Sequence, residues 1–358
     1  MIFVYKSTVD RITATTRRDK IIELAAYCGE PGYRVTQIMA AIYKNGIPRY
    51  SGIGNIPLNL KSELVAQLGD EVLSLIKSDS VRGQDVEKVL FTTKAGNSIE
   101  SVWMKHTPEF GFPHQSLCVS SQSGCALKCA FCYTGTMGLK SNLTADEICD
   151  QVLYFRNERQ FNGSISFMGM GEPFANESNV FSALKMLTDP TMFNLGARKI
   201  NISTIGIVPG IKRLTKEFPQ VNLAFSLHTP FEPQRLELMP VTKAYPVARV
   251  FEVLDTHVQK TKRKVFISYV LMEGVNDSKK HARELTKLIK SRGKLSYLYH
   301  VNLIKFNGEG QGIAFKTSLY EKVRAFSNIL SRAGVYNTLR VSFGLDIGAA
   351  CGQLCARN

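Results

Sequence analysis

The densest chemistry in this chain lies between residues 118 and 132. Four of its eight cysteines fall there: Cys118, Cys125, Cys129 and Cys132. The last three are spaced C-x3-C-x2-C within Gly124-Cys125-Ala126-Leu127-Lys128-Cys129-Ala130-Phe131-Cys132-Tyr133. Thiolates are the usual protein ligands of iron–sulfur clusters, and three at this spacing can wrap one face of a cubane. A [4Fe–4S] cluster has four irons, so three cysteines leave one iron open to a substrate. Phe131, just before the last ligand, is placed to shield the cluster. The competing reading is a structural zinc site with Cys118 as fourth ligand. Zinc sites usually pair two short knuckles, and only one compact triplet is present here. Cys351 and Cys355 lie in the last eight residues. Cys28 and Cys149 read as packing residues.

The elements that must position these thiols form a repeating pattern. From about Ser116, short apolar runs alternate with longer helical stretches. Strands are expected at Ser116–Ser121, Ser164–Met168, Lys199–Ser203, Val221–Leu227, Lys264–Leu271 and Tyr299–Ile304, with a last one at Tyr336–Val341. Helices are expected at Thr144–Arg156, Asn179–Leu187, Pro246–Lys260 and Ser278–Ser291. Six strand–helix units in series imply a parallel sheet with right-handed crossovers, an α/β chain forming a partial (β/α)6 barrel. Such barrels gather chemistry at the C-terminal ends of their strands. The cysteine triplet follows the first strand and Gly169-Met170-Gly171-Glu172-Pro173 the second. Ser203 ends the third, Ser226-Leu227-His228 ends the fourth, and Asn307 follows the sixth. Before the barrel, helical periodicity runs from Asp19 to about Gly46, broken at Gly29, Pro31 and Gly32, and resumes at Leu58–Leu68. A hairpin is expected from Glu87–Thr93 and Ser98–Met104 across Ala95-Gly96-Asn97. The expected division is a basic accessory domain over 1–104, a barrel over 105–345 and a C-terminal loop over 346–358.

The chain has 358 residues, 44% hydrophobic and 21% charged, which suits a packed globular core and argues against disorder. No stretch approaches the ~18–20 uninterrupted apolar residues that span a bilayer. The N-terminal segment is too charged for a signal peptide. A cytoplasmic protein is expected. Its net charge of +15, from 45 Lys+Arg against 30 Asp+Glu, points to a polyanion, with nucleic acid the first candidate.

The cysteine spacing is the signature of the radical S-adenosylmethionine (SAM) superfamily. Gly169–Pro173 resembles that superfamily's motif for the amino group of the SAM methionine. On that resemblance Gly171 lets the backbone approach closely and Glu172 accepts from the ammonium. Ser203, Ser226, Leu227, His228 and Asn307 would supply further contacts to the cofactor. Over nearly its whole length the sequence resembles the RlmN/Cfr family of radical SAM RNA methyltransferases. The strings that carry the resemblance include LCVSSQ-SGCALKCAFC, NLTADEICDQVLYF, SISFMGMGEP, ISTIGIVPGI, FSLHTP, YHVNLI and DIGAACGQL.

The family modifies adenosine 2503 of 23S rRNA, at C2 in RlmN, which also acts on certain tRNAs, and at C8 in Cfr, which confers resistance to antibiotics binding near the peptidyl transferase centre. Both carbons are electron-poor and cannot attack a SAM methyl group directly. The resemblance therefore implies two SAM per turnover. One methylates Cys351. The other, cleaved on the cluster by an external reductant such as flavodoxin, yields the radical that takes hydrogen from that methyl group. The carbon radical adds to adenine, Glu100 accepts the proton, and Cys118 attacks the sulfur of Cys351, leaving a transient Cys118–Cys351 disulfide. The protein is expected to act as a monomer.

The sequence departs from the family at Gly348, where Asp is usual, and at Asn307-Gly308, where Asn-Pro is common. Gly348 removes a carboxylate near the methyl carrier. Cfr-type strings predominate, although Pro173 is RlmN-like, so C8 is favoured over C2. Rival functions are a radical SAM enzyme acting on a peptide or small molecule and a non-catalytic zinc-containing RNA-binding protein. The first leaves the basic charge and Cys351 unexplained. The second predicts a colourless protein without iron.

Overall fold

The computed structural model describes residues 15–107, 111–308 and 313–354. Three helices come first: α1 (Arg17–Tyr27), α2 (Tyr33–Tyr43) and α3 (Leu58–Leu68). The Thr16 side chain caps α1 by accepting from the Asp19 amide. Four strands follow, β1 (Ile76–Arg82), β2 (Val86–Thr92), β3 (Ser98–His106) and β4 (His114–Cys118). Next come β5 (Gln122–Cys125), the one-turn α4 (Tyr133–Thr136) and β6 (Gly138–Asn142). The remaining elements are α5 (Ala145–Arg159), β7 (Ser164–Phe167), α6 (Glu177–Thr188), β8 (Ile200–Thr204), α7 (Val208–Glu217), β9 (Asn222–Ser226), α8 (Glu232–Leu238), α9 (Val247–Thr261), β10 (Val265–Leu271), α10 (Lys279–Lys290), β11 (Tyr299–Lys305), α11 (Tyr320–Arg332) and β12 (Asn337–Leu339).

Ten strands form one sheet in the order β1-β2-β3-β4-β7-β8-β9-β10-β11-β12. From β4 onward neighbouring strands are parallel. The six expected strand–helix units are therefore present as a partial (β/α) barrel. The helices cover its outside because alternate residues of the strands are apolar: Leu117, Ile165, Ile202, Leu223, Ile267 and Val301 are all fully buried. The other face turns inward and is polar. One row of paired residues runs across six strands from Lys88 through Val102, Cys118, Ser166 and Asn201 to Asn222.

The expected hairpin is present as β2 and β3, but with β1 it continues the barrel's own sheet through β3–β4 pairing. The expected division at 104/105 falls inside β3. The first barrel strand begins two residues earlier than expected and ends at Cys118, because Ser120 and Ser121 bond outside the ladder. The helices before β1 are clamped to the barrel by Arg17, whose side chain is 4% exposed. Its guanidinium donates to both oxygens of Asp150 on α5, at 2.8 and 2.9 Å, and to the Tyr43 hydroxyl at 2.9 Å. Removing one partner of such a buried pair costs about 3–5 kcal/mol.

Residues 340–354 lie against the seam between β2 and the far end of the sheet. Lys88 Nζ donates to the Gly348 carbonyl at 3.3 Å, and the Thr134 hydroxyl to the Leu354 carbonyl at 2.8 Å. Gly348 has φ of +62°, a left-handed backbone that favours glycine. No helix among the described residues is long and apolar enough to cross a membrane. Cys355 lies outside the described residues.

Candidate active site

The three cysteines expected to hold the cluster, Cys125, Cys129 and Cys132, sit on a loop held at both ends. Cys125 closes β5, and Cys132 is the residue before α4. β5 pairs with β6, with an irregularity at Gly124, where φ is +73°. A Cβ there would lie 1.9 Å from the Gly138 carbonyl oxygen, so only glycine fits. The middle of the loop is fixed by the Ala130 amide donating to the Leu238 carbonyl at 2.9 Å. Burial pushes the Cys125 thiol up to about 11 and raises Cys129 and Cys132 as well. Neutral thiols in such surroundings become thiolates when iron displaces their protons.

All three thiols line one cavity of about 180 Å³ with Gly169, Gly171, Glu172, Ser203, Ser226, His228 and Asn307. Among the described residues no three His, Cys, Asp or Glu side chains converge tightly enough to hold a single metal ion. A cubane instead presents a separate iron to each thiol, and the donor set and its placement around a cavity fit that group. Phe131 meets His228 edge-on, with ring centroids 4.8 Å apart.

The cofactor side of this cavity is built by backbone strain and buried polar bonds. Gly171 has φ of +92°, and a Cβ on it would come within 2.5 Å of Gln122. Gln122 Oε1 accepts from the Glu172 amide at 2.9 Å. The Glu172 carboxylate accepts from the Phe174 amide at 3.1 Å and the Ile205 amide at 3.0 Å. Burial raises it to about 7 against these bonds, so a cationic ligand would favour its ionised form. His228 Nδ1 accepts from the Val270 amide at 3.0 Å, which puts the ring hydrogen on Nε2. Burial and Arg235 hold this ring neutral, down to about 3. The Ser203 and Ser226 hydroxyls are 3.3 Å apart. Leu227, expected beside them, is instead fully buried in the apolar core and does not line the cavity.

A second cavity of about 640 Å³ occupies the polar interior of the barrel, lined by Cys118, Ser166, Asn201 and Asn302 among others. Cys118 is buried, and burial followed by Cys351 pushes its thiol up to about 12. Cys351 is exposed and lines both cavities, as do Met168, Asn307 and Arg340. Both cysteines are free thiols. Asn307 also anchors the loop that bears Cys351: its side-chain oxygen accepts from Ser342 at 3.1 Å and its carbonyl from Gln353 at 2.7 Å. Glu100 is 2% exposed and lines neither cavity. Its carboxylate is 3.0 Å from Lys88 Nζ. Its carbonyl accepts from the Ser120 hydroxyl, which in turn accepts from the Met170 amide. The structure thus gathers the expected residues other than Leu227 and Glu100 around two adjoining cavities. Sequence reasoning missed Lys88 and Arg340, single basic residues in a chain with 45 Lys+Arg.

Residues 119–286 match the radical SAM superfamily. The chain is 46% identical over 343 residues to "Ribosomal RNA large subunit methyltransferase Cfr" of Clostridium botulinum (strain Loch Maree / Type A3), covering 96% of this chain and 98% of that protein. It is also 46% identical over 340 residues to the Staphylococcus aureus protein of the same name, covering 95% and 96%. Its fold is similar to the crystal structure of a radical SAM methyltransferase from Sphaerobacter thermophilus, with a TM-score of 0.88, 38% identity and coverage of 96% and 98%. With this identity over nearly the full length of both relatives and the whole fold shared with a solved methyltransferase, the chain belongs to the RlmN/Cfr family of radical SAM methyltransferases, on the Cfr side.

Proposed function

We propose that this protein methylates C8 of adenosine 2503 in 23S rRNA, through a methyl group carried on Cys351. The observation that carries this reading is the place of Cys351 where two cavities meet, one holding the cluster thiols and the other Cys118. The names of its relatives support the same substrate, and the excess of basic residues suits RNA. The [4Fe–4S] cluster on Cys125, Cys129 and Cys132, with two SAM per turnover, supplies the methyl group and the hydrogen abstraction that an electron-poor carbon requires. An external one-electron reductant such as flavodoxin serves it.

The chain's residues do the rest. Glu172 is the partner for the SAM ammonium, and His228 presents an Nε2–H donor. Once the methylene on Cys351 is joined to adenine, the adduct must give up one electron, for which the cluster held by Cys125, Cys129 and Cys132 would be the acceptor, and Glu100 takes the proton leaving the ring carbon. The Cys118 thiolate then attacks the Cys351 sulfur. An S–S bond forms, the bond from that sulfur to the methylene breaks with its electron pair going to carbon, and a proton completes the methyl group. Burial disfavours the Cys118 thiolate that this attack requires.

The test is expression in a bacterium lacking its own enzyme, followed by mass spectrometry of digested 23S rRNA. The expected product is 8-methyladenosine, lost with Cys351→Ala. 2-Methyladenosine alone would overturn the choice of carbon.

A further inference from the structure

We propose that Lys88 is a positioning residue that holds the proton acceptor Glu100 and the loop bearing Cys351 in one register. The inference rests on the role of Glu100 just stated. Lys88, Glu100 and Cys118 share one face of the sheet. Lys88 pairs with Val102, which pairs with Cys118, and Glu100 is the residue two before Val102. Strands are spaced about 4.8 Å, so Lys88 and Cys118 stand about 10 Å apart with one residue between them.

The ammonium of Lys88 makes two bonds from this position. It pairs with Glu100 Oε1 at 3.0 Å and donates to the Gly348 carbonyl, three residues before Cys351, at 3.3 Å. The Lys88 side chain is 15% exposed and that of Glu100 3%. A carboxylate buried this deeply keeps its charge only when paired, and only the charged form can take a proton. The same cation therefore serves the base and tethers the carrier loop.

The chain's own departure at Gly348 suits this arrangement. The left-handed backbone there coincides with a carbonyl that accepts from Lys88, and the absence of a side chain leaves the ammonium to Glu100. When Glu100 takes its proton the ion pair becomes a weaker hydrogen bond from the still-charged ammonium to a neutral carboxylic acid. Lys88 is then held mainly by the loop, which is the moment at which Cys118 must reach the Cys351 sulfur.

The test uses the cluster-loaded full chain and two readouts. Hydrogen–deuterium exchange of the peptide spanning 343–354 reports loop docking without turnover. Gel analysis of turnover mixtures reports the covalent RNA–protein adduct. Lys88→Met is expected to speed exchange of that peptide at least tenfold and to accumulate adduct. Lys88→Arg, which keeps charge and donors, restores both to within about threefold of the parent. Glu100→Gln still accepts from Lys88, so it accumulates adduct while exchange stays within twofold. Exchange unchanged in Lys88→Met overturns the tether, and adduct at the parent level in that variant overturns the link to the base. If the parent chain forms no 8-methyladenosine, the reading of the function fails instead, and the exchange result still decides the tether.

Discussion

Gly124→Ala isolates the backbone feature that seats the first cluster ligand. At φ of +73° any Cβ costs about 1–2 kcal/mol. At Gly124 the Cβ would also sit 1.9 Å from the Gly138 carbonyl oxygen, a backbone atom with no rotamer to escape into. The β5–β6 pair must part, and the loss of two of its hydrogen bonds adds about 1 kcal/mol each. The sum, about 3–4 kcal/mol, shifts the local equilibrium toward an open loop by more than a hundredfold. Cys125 is the next residue and moves with it. Gly138→Ala is the control: φ is +67° there, but nothing lies within 4 Å of the added Cβ. The assay is iron and sulfide content per chain after anaerobic reconstitution, with visible absorbance. Gly138→Ala should retain nearly full iron and Gly124→Ala should lose most of it. Equal iron in both variants would refute the reasoning, because the steric contact would then contribute nothing beyond the backbone angle.

Three further outcomes are expected. Glu172→Gln places an N–H₂ against a backbone N–H, leaving donors unpaired at about 1–3 kcal/mol; SAM binding measured by equilibrium dialysis should weaken at least tenfold. Gln353→Ala removes the bond to the Asn307 carbonyl and the one from the Ala350 amide; methyl transfer should fall at least tenfold while the thermal midpoint of the whole chain moves little. His228 and His257 are held neutral by burial, down to about 3 and about 4, against an unfolded value near 6.5. The unfolded chain then binds more protons below pH 6.5, so stability is present above that pH and is lost as pH falls through the window toward the folded values. At about pH 5 each ring accounts for about 2 kcal/mol of that loss, and His228→Gln should flatten the pH dependence seen in urea titrations.

The elements that the sequence announced are those whose side chains carry a period. Helix Leu58–Leu68 was legible to the residue, and strands such as Val265–Leu271 and Tyr299–Lys305 nearly so, because apolar residues alternate with the helix- or strand-facing pattern. β1 was not read: Ile76–Arg82 is almost wholly exposed, so no buried face imposes alternation. β5 and β6 were missed for a different reason: both are short, β5 is buried through polar side chains and Gly124, and β6 is half-buried to exposed, so neither shows an apolar period. In the site, cysteines at fixed spacing were visible as a motif. Lys88 was not, since its meaning comes from a strand pairing and a loop more than 250 residues away. Leu227 sits one residue from two cavity-lining positions, and alternation turned it the other way.

The single sheet that runs from β1 to β12, with Arg17 locked to Asp150, joins the N-terminal part of the molecule and its chemical centre as one body. An enzyme built this way does not fold around its substrate as two jaws would. The nucleotide has to travel: the adenine must leave its stack and enter a cavity whose walls are already set. Grip on the phosphates and delivery of the base then become separate properties of the RNA. A tightly held RNA whose adenine stays stacked would then act as a competitor rather than a substrate.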